Sequence, residues 1–162
     1  MTPATVSLAI PLYEKLEFLE KILAVIFALI AAGVLTRLGS VLAMAWLLKL
    51  ERAHAVSFLP KSVTTAIGMD VAETLGGTAA LAGAVIILTG IVGSLLGETV
   101  CKVCRITDPL AKGLALGTSA HAIGTSKALQ MGEIEGAMSG LAIAVAGIMT
   151  AILAPVVANF LP

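Results

Sequence analysis

The chain has 162 residues, 59% of them hydrophobic and only 12% charged, with a mean hydropathy of +1.06. Soluble domains are about half apolar and a quarter charged, so a soluble domain is excluded. Ten Lys and Arg balance ten Asp and Glu, and aromatic residues make up 4%, which excludes a basic nucleic-acid-binding face. An all-α polytopic membrane protein is the class that fits, because Gly and Pro, here 16 and 6 residues, are common in membrane helices.

The N-terminus carries no basic residue before Glu14 and therefore lacks the n-region of a signal peptide. Residues 2–13 are apolar but short and interrupted by Pro3 and Pro11, so they read as the tail of something upstream. Glu14, Lys15, Glu17, Glu20 and Lys21 form a charged approach to the first span, Ile22 to Leu50. Arg37 lies near its middle, where a guanidinium costs roughly 2.5–3.5 kcal/mol on insertion scales. Either Arg37 attracts an anion in a cavity, or Gly39-Ser40 kinks the helix and Arg37 snorkels.

Gly77 to Gly97 is an uncharged second span with a small-residue stripe at Gly93 and Gly97, suited to close helix packing. Ile134 to Phe160 is the third, with the stripe repeated at Gly136, Gly140 and Gly147 and a bend expected at Pro155. Between the spans lie two stretches rich in Ser, Thr and Gly, 61–76 and 113–131. The loop before the first carries Lys49, Arg52 and Lys61, and the loop after the second span carries Lys102, Arg105 and Lys112. If both are cytoplasmic under the positive-inside rule, each short stretch must cross as a broken element. The expected fold is three full spanning helices plus two short discontinuous crossings, with the C-terminus cytoplasmic. Sliding the chain by 56 residues aligns Ala66-Ile67-Gly68 with Ala122-Ile123-Gly124. This suggests a repeated unit of broken element plus span, both copies running the same way.

Broken elements point to a transporter's substrate site. In the second one, Gly117 and Gly124 permit local unwinding, and Thr118, Ser119, Thr125 and Ser126 set hydroxyls around His121. An intramembrane imidazole is a functional group by default; here it is a candidate proton carrier beside a bound carboxylate, or else a packed helix histidine. In the first, Pro60 with Lys61 and Ser62 reads as a helix start, with Thr64 and Thr65 in its opening turns, so a dipole end and a cation together attract an anion. Lys61 reads equally as a positive-inside anchor. Cys101 and Cys104 are a lone C-x-x-C without the four ligands a zinc site needs, so no metal or other cofactor is expected. Ser119, His121 and Asp108 supply hydrolase ingredients, but a Ser and a His two apart on a helix do not face each other; an enzyme is not expected.

Ser57 to Thr65 (SFLPKSVTT), Gly76-Gly77, Leu88 to Ile91, Asp108 to Ala128 and Glu133 to Gly140, with Pro3 to Tyr13, give the chain its resemblance to the LrgB family of bacterial membrane proteins, which includes the CidB proteins and a plant plastid relative. The resemblance covers nearly the whole chain, 1–162, as one membrane domain. It departs where the family usually has prolines, at Ala66 and near Ala79, and relatives usually carry further hydrophobic segments at the N-terminus, so the chain is expected to be a truncated piece, the product of a mis-assigned start, or a natural short form. The resemblance implies a multi-pass protein of the bacterial plasma membrane. It also implies one of two functions: transport of small monocarboxylates of the pyruvate and glycolate class, or antiholin-like regulation of murein hydrolase activity and cell lysis with an LrgA or CidA type partner. Homo-oligomers are compatible with both, and the bilayer and a small organic anion are the expected partners.

Overall fold

The computed structural model describes residues 16–162, with side chains from 23 onward. The apolar stretch 2–13, Glu14 and Lys15, and the side chains of Glu17, Glu20 and Lys21, lie outside the described residues. Six helices follow: α1 Leu16–Leu48, α2 Arg52–Phe58, α3 Thr65–Thr74, α4 Ala79–Val103, α5 Pro109–Met131 and α6 Glu133–Ala158. Within α1, α4 and α6, the segments Leu23–Leu48, Ala79–Val103 and Glu133–Ala158 are long and apolar enough to cross a membrane. Three spanning helices with two discontinuous elements between them is the architecture the sequence predicted.

Their packing follows side-chain spacing. On α1, Ile26, Ile30, Val34, Leu38, Val41 and Ala45 are buried at steps of three and four residues, the single stripe of an amphipathic helix. The residues between them, among them Val25, Leu29, Leu35 and Leu47, are apolar and exposed, as a lipid-facing surface requires. Opposite this stripe α6 offers small residues, Ala142, Ala146, Ala154 and Ala158, which let the two backbones approach. Trp46 Nε1 donates to the Phe160 carbonyl at 3.0 Å, and Arg37 donates to Thr150 Oγ1. Contact from 37 to 150 and from 46 to 160 makes α1 and α6 parallel. α1 passes Gly39-Ser40 as a continuous helix, with Ser40 Oγ bonded to the Arg37 carbonyl at 2.7 Å, and α6 runs through Pro155 to Ala158.

The path of the two discontinuous elements departs from the five-crossing expectation. α5 is broken at Ala120 (φ −127°, ψ 15°) and His121 (φ 42°, ψ −140°). On its way in, Leu116 packs on Gly97 and Ala120 on Gly93 of α4. At the break His121 reaches the Ile86 carbonyl at 2.8 Å. After the break the chain returns: Lys127 Nζ lies 2.8 Å from Glu98 Oε2. Against α6 the same reversal holds, with Gly117 and Thr125 both meeting Ser139 and with Gly113 and Leu129 meeting Glu135 and Gly136. α5 is therefore a re-entrant hairpin whose two ends share one face of the protein with Arg105 and Glu135.

The segment 52–74, the first of the two in chain order, is also a hairpin and enters from the opposite face. Arg52 contacts the Leu161 carbonyl at 3.5 Å at the C-terminal end of α6, α2 runs inward to a tip at 59–64, and α3 returns beside α4 to Gly76. α3 starts at Thr65, so Pro60 to Ser62 belong to the tip and not to a helix start. The 56-residue shift relates the two hairpins in detail: a Cβ on Gly68 would sit 3.3 Å from the Pro60 carbonyl, and one on Gly124 2.7 Å from the Leu116 carbonyl. In both, a glycine lets the returning limb lie directly on the entering backbone.

Each repeat is thus a hairpin, which does not cross, followed by a span, which does. One crossing per repeat inverts the second copy relative to the first, so the expectation that both run the same way is corrected. Lys49 and Arg52 lie on the face opposite Lys102, Arg105 and Lys112, which removes the premise that placed both loops in the cytoplasm. Flanking charge misled because Lys61 lies in a hairpin tip and not in a loop outside the membrane, and because the remaining loop cations divide between the two faces, Lys49 and Arg52 on one and Lys102, Arg105 and Lys112 on the other.

Candidate functional site

The hairpins enter from opposite faces, and the tip of the first and the entering limb of the second, with α1 and α4, border an open cavity of about 790 Å³. α1 lines it with Gly33, Arg37 and Ser40, the first tip with Lys61 and Ser62, and the second hairpin with Thr118 and Ser119. Ser62 and Thr118 are related by the 56-residue shift, so the cavity lies where the two repeats meet. Its depth follows from α1: Trp46 marks an interface by its amphipathic ring, and Arg37, nine residues away along the helix, lies about 13.5 Å from it at 1.5 Å per residue. Half of a hydrocarbon core of about 30 Å is about 15 Å, so Arg37 is near the midplane.

Arg37 is 7% exposed. One terminal nitrogen donates to Thr150, while Nε and the other terminal nitrogen are buried with no hydrogen-bond partner among the described residues. Among the described residues, no Asp or Glu lines the cavity. A guanidinium has five donors and no acceptor, so Arg37 brings positive charge to the cavity lining and carries N–H groups that no described residue satisfies. Thr118 Oγ1 and Ser119 Oγ donate to the Leu114 and Ala115 carbonyls at 2.5 and 2.6 Å, which leaves their oxygens as acceptors.

The other candidate residues lie elsewhere. His121 is 2% exposed and is not among the residues lining the cavity. A carbonyl only accepts, so Nε2 carries the proton donated to Ile86, and the ring, packed on Gly90, ties the hairpin tip to α4. Thr125 bonds the His121 carbonyl at 3.1 Å and Ser139 Oγ at 2.7 Å. Ser126 is exposed and bonds Ala122, Gly124 makes the limb crossing, and Thr64 and Thr65 open α3. Lys127, not singled out in the sequence, shares Glu98 with Lys102, which is 2.9 Å away. Cys101 is buried, Cys104 exposed, and both are free.

Inverted repeats, each with a discontinuous element, meeting at a cavity near the midplane define an integral membrane protein of inverted-repeat architecture. The chain belongs to the LrgB-like family, whose profile matches residues 1–160. Similar proteins from Bacillus mycoides (strain KBAB4), Bacillus cereus (strain B4264) and Bacillus anthracis (strain CDC 684 / NRRL 3495), each named Antiholin-like protein LrgB, are 35% identical over 161 residues, covering 99% of this chain and 70% of theirs. No solved structure matches the chain.

Proposed function

We propose that this protein carries small monocarboxylates of the pyruvate and glycolate class across the bacterial plasma membrane, with Arg37 as the group that holds the carboxylate. The observation that carries this reading is a buried midplane guanidinium with two nitrogens unpartnered among the described residues, lining a cavity that no described Asp or Glu borders. A charge at that depth is costly unless an anion or water completes it, and an arginine suits a carboxylate. Lys61, Ser62, Thr118 and Ser119 complete the binding surface; His121, Gly124 and Thr125 shape the hairpin that presents it. By the cation count, the face with Lys102, Arg105, Lys112 and Lys127 is cytoplasmic, which puts the C-terminus outside, the reverse of the sequence-based expectation.

The test is uptake of labelled pyruvate and glycolate by proteoliposomes, for the wild type, Arg37→Met and Thr118→Val. Uptake lost in Arg37→Met supports the assignment; equal uptake in all three refutes it. The name carried by the relatives favours a second reading, an antiholin-like regulator of murein hydrolase activity and lysis acting with an LrgA or CidA type membrane protein. Absence of uptake, together with co-purification of such a partner and altered murein hydrolase activity on deletion, would establish that reading instead.

A further inference from the structure

A second recess, of about 660 Å³, lies at the face where α4 ends and both limbs of the second hairpin terminate. The end of α4 and the turn after it contribute Lys102 and Arg105, the entering limb of α5 Lys112 and its returning limb Lys127; the carboxylates on the wall are Glu98 and Glu135. Four cations against two carboxylates leave an excess of positive charge, and the pairing within it is uneven. Glu98 serves two partners, 2.9 Å from Lys102 and 2.8 Å from Lys127. Glu135 is buried and folded over Gly132, where an added Cβ would collide with its carboxylate. Arg105 and Lys112 are in no ion pair among the described residues, so they are the groups left to hold an anion.

Arginine and lysine both suit phosphate, the first through its planar fork and the second as a point charge. The recess also lies at the end of a span, since Lys102 is in the last turn of α4, and on the same helix Leu96, Val100 and Val103 are exposed. A phospholipid can rest its acyl chains on these side chains with its headgroup among the cations, and basic pockets between membrane helices take acidic headgroups in this way. A phosphate ion from the water phase offers the same chemistry. We infer that the recess is a phosphate-binding site in which Arg105 and Lys112 hold an anionic phospholipid headgroup or a free phosphate across the end of α4 and the start of the second hairpin. It has no lining residue in common with the Arg37 cavity and is independent of the transport reading.

The test is thermal unfolding of the purified protein in detergent, titrated in separate arms with phosphatidylglycerol, with phosphatidylcholine, whose phosphate is neutralised by its choline, and with inorganic phosphate against chloride at equal ionic strength. The expected result is saturable stabilisation by phosphatidylglycerol and none by phosphatidylcholine. The half-saturating concentration should rise about fivefold in Arg105→Gln and in Lys112→Gln, and stay unchanged in Lys49→Gln on the opposite face. Saturable stabilisation by inorganic phosphate, weakened by the same two substitutions, supports the site with a water-borne ligand instead of a lipid. Equal stabilisation by the two lipids, stabilisation that survives Arg105→Gln combined with Lys112→Gln, or no stabilisation in any arm overturns the inference.

Discussion

The break at His121 makes a prediction of inverted sign. A non-glycine residue at φ 42°, ψ −140° occupies a region that glycine enters freely, at a cost of roughly 1–3 kcal/mol. The His121 side chain offsets this cost through its hydrogen bond to Ile86, about 1 kcal/mol, and through burial of the ring against Gly90. Replacing His121 by Ala removes the bond and the packing but retains the strained backbone, for an expected loss of about 2–4 kcal/mol. Replacing it by Gly removes the same contacts and relieves the strain, so His121→Gly should be the more stable of the two by about 1 kcal/mol. In an unbroken helix the order is opposite, with Gly about 0.5–1 kcal/mol worse than Ala. Thermal unfolding of the two variants in one detergent decides between these. A higher midpoint for His121→Ala would refute the re-entrant hairpin turning at this residue.

Other consequences are also accessible. In a background with both native cysteines replaced by serine, His54→Cys and Arg105→Cys should label from opposite sides of the membrane; labelling from one side would restore the five-crossing path. Glu98→Cys combined with Lys127→Cys should be joined by a bifunctional maleimide of about 10 Å span, whereas a straight α5 would leave the two positions separated by about 18 Å along α4, beyond its reach. Arg37→Met should lose anion uptake yet raise the unfolding temperature in the absence of anion, because an uncompensated buried charge is replaced by an apolar chain; a strongly destabilised variant would mean that the Thr150 contact outweighs that cost. Gly117→Leu should prevent assembly of the second hairpin against α6, where even a Cβ would collide with the Ser139 carbonyl. Normal folding of this variant, read by size-exclusion chromatography, would contradict that packing.

Much of the architecture follows from residues that interact locally. The apolar runs of α1, α4 and α6 are set by their own composition, since a bilayer requires about 20 apolar residues with internally bonded backbone. The interruptions are also local: Pro60 lacks the N–H that would continue α2, and the Ser, Thr and Gly content around Thr118 and Gly124 marks a segment unsuited to face lipid. The 56-residue correspondence of Gly68 with Gly124 was visible without coordinates. Arg37, conspicuous for its charge, was already a candidate for an anion in a cavity.

What only the tertiary structure decided is direction. A broken helix that crosses and one that turns back have the same composition, length and glycines; the difference is one backbone conformation at His121 and a tip at 59–64, both fixed by contacts with α4 and α6 that lie far away in sequence. Flanking charge could not resolve it, because Lys61, read as a loop cation, is drawn to the cavity, while Lys127, read as part of a crossing, returns to Glu98. The same long-range packing turned His121 toward Ile86 and brought Arg37 and Lys61, 24 positions apart, to one chamber. Sequence determines which groups must avoid lipid, because that depends on each side chain alone; which groups then share a cavity depends on how whole helices pack.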